Sequence, residues 1–182
     1  MNRTRMLVSC ISVALLGAVG CGRMDDPPPI DQGQPGQNVG TCLSGCNRGF
    51  MCQGVSCVLD PLSLWSITVT SGKISERDPT GASWDTFGGA PDPLVCLTIN
   101  GQRSCTRTAQ DTISPVWNQS FPPATAASLA SGVSVEIWDE DVSSNDPICG
   151  SGTLTVSKDQ FAQGTWGASC AEGSFQAVLS AR

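Results

Sequence analysis

Two stretches of the chain gather carboxylates without a Lys or Arg among them: Trp84-Asp85-Thr86-Phe87-Gly88-Gly89-Ala90-Pro91-Asp92-Pro93-Leu94-Val95, and Val135-Glu136-Ile137-Trp138-Asp139-Glu140-Asp141-Val142-Ser143-Ser144-Asn145-Asp146-Pro147-Ile148-Cys149-Gly150. Two carboxylates about 5 Å apart repel by roughly 3 kcal/mol at an effective dielectric of about 20. Acids that converge without basic partners therefore call for a cation or a proton. Hard oxygen ligands select Ca2+ over transition metals. The plainer alternative is that Asp is a common turn residue and builds Asx-turns with no metal. The chain has no histidine, which excludes Ser-His-Asp and Cys-His nucleophiles, imidazole metal sites and the usual pH switch. Asp139 and Asp141 could pair for hydrolysis, but alternation puts them on one side of one strand and no separate acid in an apolar pocket accompanies them. The expectation is a protein that binds and does not catalyse.

The cysteines are the second reactive set, and their chemistry depends on the compartment. Residues 1–20 run from Asn2-Arg3-Thr4-Arg5 through an apolar stretch, Met6 to Val19, to Gly20, the pattern of a secretory signal. Ala18-Val19-Gly20-Cys21 resembles a bacterial lipobox, which implies lipid attachment at Cys21 as the first residue of the processed chain. More than one acyl chain gives stable anchoring, at about 0.8 kcal/mol per buried methylene. Gly22 after the anchor, in place of Asp, points by the same resemblance to the outer membrane of a bacterial cell envelope, facing periplasm or exterior. Losing Arg3 and Arg5 makes an already acidic chain, formal charge −6, more acidic, the wrong sign for nucleic acid.

In an oxidising compartment Cys42, Cys46, Cys52 and Cys57 read as two disulfides in one of three connectivities, with a four-thiolate zinc site as the rival. They sit in a segment too short for a core of its own. Asn100-Gly101 is the preferred pair for a two-residue type I′ turn, so Ile99 faces Gln102 and Cys96 falls opposite Cys105. Counted outward from the turn, that is a non-hydrogen-bonded pair, close enough for a disulfide. Cys149 and Cys170 then pair by elimination.

The elements that must position these residues are strands. Trp65, Ile67 and Val69 alternate with Ser66, Thr68 and Thr70, and Val133, Val135 and Ile137 alternate with Ser134 and Glu136. Further strands are expected at 94–100, 102–108, 116–121, 152–156 and 175–181, with a helical turn only at 157–162. The whole reads as an all-β antiparallel sandwich of about eight strands over 61–182. Ahead of it lie the signal peptide at 1–20, a Pro/Gly/Gln linker at 21–40 and the cysteine-rich module at 41–60.

Over residues 62–182 these pieces resemble the C2 domain, the calcium- and phospholipid-binding β-sandwich of membrane-targeting proteins. They come in family order: an opening strand at Trp65 to Val69, an acidic first loop ending in Asp92-Pro93-Leu94-Val95, Pro115-Val116-Trp117-Asn118-Gln119-Ser120-Phe121, then Trp138-Asp139-Glu140-Asp141 with Asp146 and Gly150. The resemblance implies Ca2+ ligands at Asp85, Asp92, Asp139, Asp141 and Asp146. Asp78, in Arg77-Asp78-Pro79-Thr80-Gly81, is the alternative to Asp85. It also implies an apolar, membrane-touching tip at Phe87. Trp84 and Trp138 each precede a site aspartate and would report on it by fluorescence. The basic strand patch that reads phosphoinositides is not evident.

The function expected is therefore a membrane-anchored extracytoplasmic lipoprotein whose C2-like domain binds Ca2+ through acidic loops and then binds anionic phospholipid or a surface protein. The competing expectation is a calcium-independent structural or adhesive scaffold held by its disulfides.

Overall fold

Period-two alternation decides the layers of this chain. The computed structural model describes residues 40–85, 89–141 and 144–182. The expected signal peptide, the expected lipid attachment at Cys21, nearly all of the linker and the expected Phe87 tip lie outside them. Four short strands come first: β1 (Gly40–Thr41), β2 (Gly45–Cys46), β3 (Phe50–Gln53) and β4 (Ser56–Leu59), forming a sheet in the order β2-β1-β4-β3. Disulfides join Cys42 to Cys52 and Cys46 to Cys57, which selects one of the three connectivities.

The sandwich follows with β5 (Leu64–Ile74), β6 (Pro93–Ile99), β7 (Gln102–Cys105), β8 (Val116–Ser120), β9 (Ala124–Thr125), α1 (Ala126–Ser131), β10 (Val133–Asp139), β11 (Asp146–Leu154), α2 (Lys158–Gln163), β12 (Thr165–Ser169) and β13 (Gly173–Ala181). One sheet has the order β11-β10-β6-β7, the other β12-β13-β5-β8 with β9 also on β5, and every pairing is antiparallel. Val95, Leu97, Val133, Val135 and Ile137 of the first sheet and Ile67, Val69, Phe175, Ala177 and Leu179 of the second share one buried core. Each such side chain contributes about 1.5–3 kcal/mol by leaving water.

The hairpin drawn from Asn100-Gly101 is present, with Ile99 opposite Gln102 and Cys96 opposite Cys105. Asn100 and Gly101 both have positive φ, 52° and 77°, as a type I′ turn requires. The Cys96 and Cys105 Cα atoms stand 4.0 Å apart under their disulfide, the close approach of a non-hydrogen-bonded pair. A fourth disulfide, Cys149 to Cys170, ties β11 in one sheet to the chain leaving β12 in the other.

Several local expectations need correction. α1 is a second helix, where none was expected beside the turn at 157–162. Thr125 caps it by accepting from the Ser128 amide, and six residues are too few to show a helical period. β12 was not expected, and it joins the sheet by pairing along β13 from Thr165↔Val178 to Ser169↔Ser174. β11 starts at Asp146 and not near 152: it is an edge strand, where Pro147 is tolerated because one side of the ladder is free. β7 stops at Cys105, leaving 106–115 as a loop that crosses toward the acidic end.

The cysteine-rich sheet is keyed to the sandwich through Trp65. Phe50 meets the Trp65 ring edge-on at 6.1 Å, Phe161 packs against it at 4.8 Å, and the Trp65 indole N–H donates to Ser63 Oγ at 2.9 Å. Gly49 lies against that ring with φ +86°, leaving no room for a Cβ. Among the described residues no helix is long and apolar enough to cross a membrane.

Candidate metal centre

Alternation along β10 buries Val133, Val135 and Ile137 and, two residues further, Asp139. A carboxylate therefore occupies the position where the core would place an aliphatic side chain. It has no solvent exposure (0%), and only one of its oxygens is satisfied: Oδ1 accepts from the Asp92 amide at 2.5 Å, while Oδ2 has no partner. A buried, unpaired anionic oxygen is costly unless something positive meets it. Burial, then the charges of Asp141, Asp85 and Asp92, push the Asp139 carboxyl up to about 6, although the Asp92 amide bond pulls the other way.

The neighbouring acids are held by the strand ends around it. In the ladder Asp139 stands opposite Pro93 on β6 and opposite Asp146 on β11. Asp92 sits between buried Pro91 and Pro93, and its carbonyl accepts from the Glu140 amide at 3.1 Å, which sews the first acidic loop to the second. Trp84 is buried and donates its indole N–H to the Ser75 carbonyl at 2.8 Å, which brings half-buried Asp85 to the same end. The Ser83 hydroxyl donates to the Gly89 carbonyl at 3.0 Å, closing that loop at its base. Burial raises the Asp85 carboxyl, and the charges of Asp92, Asp141 and Asp111 raise it further.

Asp85, Asp92, Asp139 and Asp141 are thus gathered within one another's fields. Asp146 stands exposed at the rim, across from Asp139, and is not among the charges that act on it. Asp78 is committed elsewhere: its carboxylate accepts from the Thr80 amide, the Thr80 hydroxyl and the Ala82 amide at 2.8–2.9 Å, and the Thr80 bond holds it below the ordinary carboxylate range. Trp138 donates to Glu136, itself the partner of Arg103 at 2.9 Å, so that pair turns away from the acids. One acid escaped the sequence reading. Asp111, on the loop between β7 and β8, donates its amide to Asp92 Oδ1 at 2.6 Å and acts on Asp85. It stands apart from both acidic runs, and only its position in the fold reveals it.

The donor set fits a hard divalent cation. All of the charges acting on Asp85 and Asp139 are negative, the atoms are carboxylate oxygens, and one oxygen is buried without a partner. Asp85, Asp92, Asp139 and Asp141 would hold the ion. A Cβ at Gly89 would fall on the Asp85 carboxylate. Gly89→Ala should therefore push that carboxylate aside and weaken the hold of such a site on a divalent cation about tenfold, the loss of roughly one good ligand contact at about 1.4 kcal/mol. A tryptophan-emission titration measures it, and the melting temperature in EDTA should hardly move.

The C2 domain family model matches residues 66–168 of the chain. Synaptotagmin-5 of Arabidopsis thaliana is 37% identical over 62 residues, 33% of this chain and 11% of that protein. Synaptotagmin-4 of the same plant is 34% identical over 64 residues, 34% of this chain and again 11% of the relative. The chain thus spans about a tenth of the length of either. Among solved structures, a C2 domain of a plant Extended Synaptotagmin 1 superposes with a TM-score of 0.50 at 14% identity, covering 68% of this chain and 96% of that one, a likeness of fold.

Proposed function

Because the chain belongs to the C2 domain family, whose members in general bind calcium and membrane phospholipid, we propose that it is a calcium-dependent, membrane-docking module carried on an anchored extracytoplasmic lipoprotein. The observation that carries the calcium reading is Asp139, fully buried with one unpartnered oxygen and lying within the fields of Asp85, Asp92 and Asp141. The protein's part is electrostatic. The β10 ladder and the Asp92 amide fix Asp139, the Trp84 anchor fixes Asp85, and the Asp92 carbonyl bond holds the two loops together. Bound calcium supplies positive charge that turns an anion-repelling cup into one that tolerates phosphate. Asp146, exposed at the rim across from Asp139, is the fifth acid of the expected ligand set.

Docking then falls to anionic phospholipid, with Phe87 as the apolar tip. The N-terminal pattern ending at Cys21 supports a lipid anchor in a bacterial outer membrane. The chain is read as non-catalytic, since it has no histidine to activate a hydroxyl or thiol beside its clustered acids. A calcium-independent scaffold is the second reading, favoured by the four disulfides, which hold the fold whatever the acids do.

Sedimentation with vesicles of phosphatidylcholine and phosphatidylserine separates the two. The calcium reading expects pelleting in millimolar Ca2+, release in EDTA and no pelleting of Asp139→Asn. Equal pelleting with and without calcium would leave the scaffold. Membrane fractionation of cells expressing the full chain tests the anchor, which is lost as a reading if Cys21→Ser stays with the membrane.

A further inference from the structure

We propose that Asp111, on the loop between β7 and β8, is an additional acid of the calcium site and strengthens its hold on the ion through its charge. The inference rests on the calcium reading above, and concerns an element that carries neither acidic run. Three backbone contacts stitch this loop along the first acidic loop: the Ala109 amide donates to the Pro93 carbonyl at 3.0 Å, the Asp111 amide to Asp92 Oδ1 at 2.6 Å, and the Thr112 amide to the Pro91 carbonyl at 2.9 Å. Asp111 is the middle one of the three, so its backbone is fixed on both sides and bonded to an expected ligand.

Its φ is +48°, the left-handed region, which Asp and Asn enter more readily than most residues. The turn at Asp111 is what frees its amide to meet a carboxylate oxygen. By occupying Asp92 Oδ1, that amide leaves the second Asp92 oxygen for the cup. The Asp111 carboxylate is exposed, on a residue whose own amide touches the Asp92 carboxylate, so its charge lies beside the cup. An independent sign that this end of the sandwich takes a cation is Asp139 Oδ2, wholly buried and without a partner. A sixth negative charge there, on a third loop, deepens the attraction for a dication. It costs the apo protein little, because water still reaches it.

The test is calcium calorimetry on the full chain with its disulfides formed, as wild type, Asp111→Asn and Asp159→Asn. Asparagine keeps the left-handed turn and the amide bond and removes only the charge. Asp159→Asn, on α2, removes the same charge well away from the acidic loops. Asp111→Asn should bind calcium about fivefold more weakly, the size of one unit charge acting on a dication across a water-exposed gap. The ratio should shrink in high salt, as a charge effect does. Asp159→Asn should match wild type, and melting in EDTA should be alike for all three. Equal affinity of Asp111→Asn and wild type overturns the proposal while the calcium site stands. Equal weakening by Asp159→Asn also overturns it, since net charge alone would then suffice. A wild type that binds no calcium overturns both this proposal and the reading on which it rests.

Discussion

Asp139→Asn should raise the melting temperature of the calcium-free protein at neutral pH and abolish its response to calcium. The carboxyl is pushed up to about 6 in the folded state from an ordinary 3.8, chiefly by burial. Between those values the folded chain holds a proton that the unfolded chain has released. Stability therefore falls as pH rises through about 4 to 6, and the loss is complete above it. A shift of about two units corresponds to about 3 kcal/mol, reduced toward about 2 kcal/mol by the solvent that reaches the neighbouring acids. Asn removes that penalty, and its carbonyl oxygen can still accept from the Asp92 amide. The expected gain at pH 7 in EDTA is about 5 °C for a domain of this size. Wild type in EDTA should also melt several degrees higher at pH 5 than at pH 7, and the variant should lose most of that difference, keeping only the part that the raised Asp85 carboxyl contributes. Glu136, held low by Trp138 and Arg103, loses its contribution only as pH falls below the ordinary 4.5, so it does not mask this window. A variant that melts lower than wild type at pH 7 would mean that the charge of Asp139 is already compensated in the calcium-free protein.

Removing the Cys149–Cys170 disulfide should cost more than removing Cys96–Cys105, the other disulfide of the sandwich. It closes a loop of 21 residues and joins the two sheets, whereas Cys96–Cys105 closes 9 within one hairpin already registered by its turn. Loop-closure entropy puts the first at about 3 kcal/mol and the second somewhat below it. The neighbourhood adds to the first: the Cys170 amide donates to the Gly173 carbonyl at 2.8 Å, and Gly173 has no room for a Cβ beside Ile148. Cys149→Ala with Cys170→Ala should lower the melting temperature by about 10 °C, and the Cys96/Cys105 pair by less. Denaturant unfolding of both double variants measures this. Equal losses, or a smaller loss for Cys149/Cys170, would place the seam between the sheets elsewhere.

Much of this architecture was readable because its signals are local. Asn100-Gly101 sets a turn, the turn sets the register, and the register sets Cys96 against Cys105. Alternation through Val133, Val135 and Ile137 marks β10, and carried two residues further it explains why Asp139 is buried. What escaped reading depends on distant chain. α1 has six residues and is defined by its Thr125 cap. β12 is recruited by β13, and β11 begins on Asp146-Pro147, residues that rarely start a strand except at an edge. Asp111 lies 19 residues from Asp92, outside both acidic runs, and only the crossing of its loop brings the two together. Asp85 and Asp78 both fit the sequence pattern. Their separation comes from hydrogen bonds, since Asp78 spends its oxygens on its own turn.

The most direct test of calcium binding by the acidic cup is a thermal melt of residues 40–182, followed by tryptophan emission, in EDTA, in millimolar Ca2+ and in millimolar Mg2+, for wild type and Asp139→Asn. A ligand at about ten times its dissociation constant stabilises by about 1.4 kcal/mol, enough to move the midpoint by a few degrees. A calcium-specific rise is expected in wild type and none in the variant. Coincident wild-type curves in EDTA and millimolar calcium would contradict a calcium site at Asp139.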